Sequence, residues 1–127
     1  MRKRLRIIVV DDCAELAQTF ARLLTGWGHE VTVALDGPQA LQAAAATPFD
    51  VALLDLELPG IDGFTVAESL RKASSRKPIL LVAVTGRVEE AWRQRAAAVG
   101  FDHFLAKPVP TSRLEALLRL DENAIPG

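Results

Sequence analysis

The sequence predicts one α/β domain, a parallel sheet of five strands with helices on both faces. Two observations point there. Five short apolar runs recur along the chain without polar alternation, the pattern of strands buried on both faces. Between them the hydrophobic period changes to that of helices, and every connection is short. Right-handed crossovers then distribute the helices over both faces of the sheet.

The elements read in order. Ile7 to Val10 is the first strand, β-branched and wholly apolar. Leu16, Phe20, Leu23, Leu24 and Trp27 share one face of the first helix. Val31 to Leu35 is the second strand, with Thr32 inside it. Asp36 or Gly37 opens the second helix, Pro38 suits its first turn, and Ala40 to Ala46 are strong helix formers. Val51 to Leu54 is the third strand, and Gly63 precedes a helix from about Phe64 to Lys72. Ile79 to Val84 forms the fourth strand, and Val88 to Val99 a helix that Gly100 stops. Phe104 and Leu105 mark a weaker fifth strand. Pro110 starts the last helix, striped by Leu114, Leu117 and Leu118, and Asp121 to Gly127 is a tail without pattern.

A chain of 127 residues suits one core, so residues 1–127 are read as a single domain with its core at about 6–120. Fifteen basic and sixteen acidic residues leave a net charge of −1, which excludes a generally basic nucleic-acid binder. The longest uncharged stretch, Gly37 to Phe49, is too short and polar to insert into a membrane, which takes about 20 apolar residues. Arg2, Lys3, Arg4 and Arg6 resemble a charged leader, but the apolar run after them is shorter than the roughly 7–15 residues of a secretory signal. They read as a solvated lead-in to the first strand. The single cysteine, Cys13, has no internal partner, and a reducing cytoplasm is the expected location.

Ligands of such sheets bind at the carboxyl ends of the strands. The first strand ends in Asp11 and Asp12, the third in Asp55 and the fourth in Thr85, while the fifth leads into Lys107. Carboxylates converging on one crevice repel each other, by about 4 kcal/mol for unit charges ~4 Å apart at an effective dielectric near 20. A lysine and a divalent cation relieve that repulsion, and an all-oxygen donor set favours Mg²⁺. Singly, Asp11 and Asp12 read equally as helix caps, Asp55 as the start of a turn before Pro59, Thr85 as a cap and Lys107 as a surface charge.

Four segments carry a resemblance: Val9-Val10-Asp11-Asp12, Leu53-Leu54-Asp55-Leu56-Glu57-Leu58-Pro59-Gly60-Ile61-Asp62-Gly63, Val84-Thr85-Gly86 and Phe104-Leu105-Ala106-Lys107-Pro108. In this order and spacing they resemble the receiver domain of two-component response regulators, from Arg6 to about Leu120. The resemblance implies the flavodoxin-like strand order 2-1-3-4-5. It implies that Asp55 accepts a phosphoryl group from a histidine kinase or phosphotransfer protein. Asp12 would ligate Mg²⁺ directly, Asp11 mostly through water, with Asp55 and the backbone carbonyl of Glu57 completing the protein ligands. Lys107 would pair with a phosphoryl oxygen, Thr85 would turn toward it, and Phe104 would be the switch aromatic. The Lys107–Pro108 bond is often cis in relatives.

The resemblance also implies a switch rather than a turnover enzyme, with output or self-association through the face of the fourth helix, fifth strand and fifth helix. It gives no reason to expect direct nucleic-acid contact. Glu57 and Arg87 lie at the phosphate entrance, read either as two exposed charges or as an ion pair that modulates hydrolysis. Phe104 lacks the hydroxyl of the commoner tyrosine, so its switching is expected to rest on packing alone. Trp92 is either the rim of helix packing or part of a contact surface. No output domain follows Leu120, so the chain reads as a stand-alone receiver or one excised from a longer protein. The segment Thr85 to Val109 is more similar to receivers of hybrid sensor histidine kinases. Three other functions compete, the weakest a nucleotide-binding flavodoxin relative, for which Val10-Asp11-Asp12 supplies no glycine-rich phosphate loop. An interaction-only pseudo-receiver would not need the intact acidic set, and an aspartyl-nucleophile phosphohydrolase would need a substrate cap.

Overall fold

The apolar runs pair into one parallel sheet with helices on both faces, and burial is deepest in its central strands. The computed structural model describes residues 4–73 and 78–124, with side chains as far as 119. Arg2, Lys3 and residues 125–127 lie outside the described residues. The order is β1 (Arg6–Val10), α1 (Ala14–Gly26), β2 (Glu30–Ala34), α2 (Gly37–Ala46), β3 (Val51–Leu54), α3 (Gly63–Ala73), β4 (Leu80–Thr85), α4 (Glu90–Val99), β5 (His103–Ala106) and α5 (Thr111–Ala124). The strands lie side by side as β2-β1-β3-β4-β5, all parallel, as expected.

Side chains of successive strand residues leave the sheet on opposite faces, and they build two cores. Ile8, Val10, Ala52, Leu54, Leu81 and Ala83 pack under α2, α3 and α4 with Phe64, Leu70 and Phe101. Ile7, Val9, Val51, Leu53, Val82 and Leu105 pack under α1 and α5 with Phe20, Leu24, Leu114 and Leu118. The inner strands β1, β3 and β4 are buried nearly throughout, whereas the edge strands β2 and β5 are half-buried.

Local signals act where the sequence puts them. The Asp36 carboxylate caps α2 by accepting from the Gln39 N–H at 2.8 Å, and the Gln39 side chain accepts from the Leu35 N–H at 2.9 Å. Gly100 ends α4 at φ 110°, a left-handed conformation that glycine adopts without strain. Some boundaries differ from the sequence reading. β2 stops at Ala34 and leaves Leu35 exposed, because the edge strand has only one neighbour to pair with. Helix α4 begins at Glu90 rather than Val88. The backbone of α5 continues through Ala124 into the segment read as tail, since backbone hydrogen bonds extend a helix without an apolar stripe. No helix among the described residues is long and apolar enough to cross a membrane.

Candidate functional site

The register of the sheet brings the strand ends together. Val10 lies opposite both Ala34 and Leu54, and Thr85 opposite Ala106. The pairing runs one residue beyond the strands. The Asp11 N–H donates to the Ala34 carbonyl at 3.1 Å, the Asp55 N–H to Val10 at 2.9 Å and the Lys107 N–H to Thr85 at 2.9 Å. The backbones of Asp11, Asp55 and Lys107 are therefore held by the sheet while their side chains are released at its carboxyl edge.

Lys107 Nζ stands at the centre, 2.8 Å from Asp11 Oδ2 and 3.0 Å from Asp55 Oδ2. The other oxygens are also used: Asp11 Oδ1 accepts from the Cys13 N–H and Asp55 Oδ1 from the Glu57 N–H, both at 2.9 Å. Asp11, Asp55 and Thr85 are buried, whereas Asp12 is exposed. Among the described residues neither Asp12 oxygen has a hydrogen bond or ion pair, so its carboxylate is the freest of the three for a ligand. The Lys107–Pro108 bond is cis.

Burial pushes the Asp55 carboxyl above the usual carboxylate range, and the charge of Asp11 adds to that. The Glu57 N–H and Lys107 pull the other way without cancelling it. Burial acts to lower the Lys107 ammonium, but its bonds to Asp11 and Asp55 outweigh burial and hold it above its ordinary value. The site thus stores two buried negative charges against one positive charge. One oxygen from each of Asp11, Asp12 and Asp55 lies within 4.8 Å of the others. This clustered, anionic, all-oxygen donor set fits a hard divalent cation such as Mg²⁺.

Of the two readings of Glu57 and Arg87, the ion pair between them is not formed among the described residues. Arg87 pairs instead with Glu89, at 3.2 Å. Its guanidinium carbon also lies 4.2 Å from the centre of the Trp92 ring. A partner two residues away and a ring on the next helix need less ordering than a carboxylate on another loop. Phe104 is half-buried on β5, and the Arg93 guanidinium lies over its ring at 4.6 Å. Trp92 is half-buried and packs on Phe64, with ring centres 5.3 Å apart.

Gly63 belongs to the site although the sequence reading placed it only ahead of a helix. A Cβ there would stand 2.3 Å from the Asp55 carbonyl oxygen and 2.6 Å from Leu56 Cα. The loop that presents Asp55 folds directly against the start of α3, and the Gly63 N–H donates to the Leu56 carbonyl at 3.2 Å. A glycine at the mouth of a helix after a charged strand end is the sequence signal for such a close approach.

Comparison with known proteins places the chain in a family. The family model of the response regulator receiver domain matches residues 7–119. The chain belongs to that family. The transcriptional regulatory protein TcrA of Mycobacterium tuberculosis is 38% identical over 114 residues, 90% of this chain but 44% of TcrA. The chain thus spans less than half of that relative. Two solved structures match nearly the whole fold. The receiver domain of sensor histidine kinase PA1611 of Pseudomonas aeruginosa, with a magnesium ion coordinated in its active site cleft, has a TM-score of 0.82 at 25% identity, over 95% of this chain and 99% of that one. A response regulator of Burkholderia pseudomallei with a phosphorylated aspartic acid and a calcium ion has a TM-score of 0.83 at 28% identity, over 94% and 69%.

Proposed function

We propose that this domain is a phosphorylation-dependent switch that accepts a phosphoryl group on Asp55 from a histidine kinase or phosphotransfer protein. The observation that carries this reading is the bridge of Lys107 Nζ between Asp11 and Asp55, with the Thr85 hydroxyl on the adjoining strand. In the transfer, an Asp55 carboxylate oxygen forms a bond to phosphorus as the phosphorus–nitrogen bond of the donor phosphohistidine breaks. The electron pair leaves on the imidazole nitrogen. Lys107 is placed to follow the charge onto a phosphoryl oxygen, as a compact cation with three donors. Asp11, Asp12, Asp55 and the backbone carbonyl of Glu57 would hold Mg²⁺, which when bound neutralises charge shared by the carboxylates and the phosphoryl group. The reacting group is the protein itself, so the domain is not a turnover enzyme.

The output of this reading is a shift in a two-state equilibrium at the α4, β5 and α5 face, biased by Thr85 and Phe104. A lone exposed cysteine, Cys13, suits a reducing compartment, so we place the domain in the cytoplasm.

A small acyl-phosphate donor with Mg²⁺ tests the reading. The expected product is an acid-stable, base-labile phosphate that borohydride reduction maps to Asp55. Mg²⁺ binding without label would leave an interaction module, and steady release of phosphate from a phosphate ester would indicate a phosphohydrolase. Asp12→Ala should weaken Mg²⁺ binding tenfold or more, about 1.4 kcal/mol. The fold should be unaffected, because Asp12 is exposed. Unchanged affinity by titration calorimetry would contradict its role as a ligand.

A further inference from the structure

Helix α4 offers little apolar surface to the sheet. Ala96 is its buried residue, and Trp92 and Val99 are partly so. Stacking supplies what burial does not. Arg87 lies 4.2 Å over the Trp92 ring, Trp92 packs on Phe64, and Arg95 lies 4.0 Å over Phe64. Phe64 directly follows Gly63, whose backbone rests on the carbonyl of Asp55. At the other end of the stack, the Arg87 N–H donates to Thr85 Oγ1 at 3.3 Å. A continuous set of contacts therefore joins the turn after β4 to the loop that carries Asp55.

We infer that Arg87 and Trp92 are positioning residues for Thr85. The stack of Arg87, Trp92, Phe64 and Arg95 holds the turn after β4 against the phosphoacceptor loop, and so sets how readily the Thr85 hydroxyl leaves the Arg87 N–H. The inference rests on the reading of Asp55 as phosphoacceptor. A threonine hydroxyl moves by changing between staggered rotamers. It keeps its present one while the Arg87 backbone stays in place to donate. Two side-chain contacts hold Arg87 there. Its ion pair with Glu89 is roughly half exposed on both sides and is weak in water, so the ring contact is the stronger of the two. When Thr85 turns to a phosphoryl oxygen, the Arg87 N–H loses its acceptor and the turn is free to shift, taking the guanidinium along the Trp92 ring.

Methyl and indole nuclear magnetic resonance read both ends of this stack. On phosphorylation the Thr85 methyl and Trp92 indole N–H signals should move together, while the Trp27 indole signal stays. In the unphosphorylated protein, Arg87→Ala should displace the Thr85 methyl signal toward its phosphorylated position. That corresponds to a roughly two- to fivefold rise in the turned population, the scale of one exposed cation–π contact. Arg87→Lys, which keeps a cation over the ring, should restore much of the original position. Thr85→Ala should still take label at Asp55 but leave the Trp92 signal unmoved. The inference is overturned if Arg87→Ala leaves the Thr85 signal in place, if Arg87→Lys behaves like Arg87→Ala, or if Trp92 does not respond in a fully labelled protein. A missing label would overturn the phosphoacceptor reading instead, and the unphosphorylated variants would still decide the stack.

Discussion

Asp55→Asn is expected to abolish phosphoryl acceptance and to raise the melting temperature of the metal-free protein by a few degrees. The first effect follows from chemistry, because an amide has no charged oxygen to attack phosphorus. The second follows from electrostatics. Asp55 is 6% exposed and shares Lys107 with Asp11. Burial holds its carboxyl above the usual range. The folded state therefore binds this proton more tightly than the unfolded chain does, so the group favours folding while protonated. That contribution is present below the unfolded carboxyl value near pH 4 and is lost as pH rises through the raised folded value. At neutral pH the ionised carboxylate works against the fold, and the neutral amide removes that effect. Its oxygen can still accept from the Glu57 N–H, and Lys107 keeps Asp11. The gain should be read as a rise in melting temperature of a few degrees. Melting curves from pH 4 to 8 should show the advantage of the variant opening as pH rises. A labelled Asp55→Asn protein would refute the acceptor assignment. A variant less stable than the wild type at pH 7 would refute the electrostatic account.

Gly63→Ala should lower the melting temperature by about 10 °C and weaken phosphoryl acceptance with it. The added methyl meets backbone on the opposite side, the Asp55 carbonyl oxygen and Leu56 Cα, both well inside van der Waals contact. Overpacking of this kind costs about 1–3 kcal/mol where side chains yield, and here no flexible side chain lies in the way to yield. Relief requires the Asp55 loop and the start of α3 to separate, which moves the acceptor relative to Lys107. Gly26→Ala is the matched control, at the exposed end of α1 with nothing within 4 Å of its added methyl. It should be neutral or stabilising by up to about 1 kcal/mol, since alanine is the better helix former. If Gly63→Ala melts with Gly26→Ala, the close approach does not bear on stability.

Much of the site was legible because its parts sit at strand ends, and strand ends are local features. Val9-Val10 before Asp11-Asp12, and Leu53-Leu54 before Asp55, each announce a buried strand that stops at an acid. A parallel sheet then places all such ends on one edge. The register adds only the alignment that sets Val10 beside Leu54 and so Asp11 beside Asp55.

Arg87 marks where that local reasoning stops. Its place two residues after Thr85 leaves open both an exposed charge and an ion pair with Glu57, and the guanidinium lies on Trp92 beside Glu89. An exposed arginine chooses among partners of similar small energy, and the choice depends on where α4 begins and how Trp92 lies against Phe64. The Arg93 contact with Phe104 escaped the sequence for the same reason, since it joins a helix and a strand whose packing angle no periodicity records.

The five alternating strand and helix units, the burial of the central strands and the convergence of Asp11, Asp12, Asp55, Thr85 and Lys107 on one edge are written in the sequence. Those follow from hydrophobic periodicity and chain connectivity, which act over a few residues at a time. The bridge of Lys107 between Asp11 and Asp55, the close approach that leaves Gly63 no room for a side chain, and the arginines over the rings of Trp92, Phe104 and Phe64 come from the tertiary structure alone. Each of these depends on ångström-scale distances between segments far apart in the chain. Close packing sets such distances for all segments together, and no short stretch of sequence contains them.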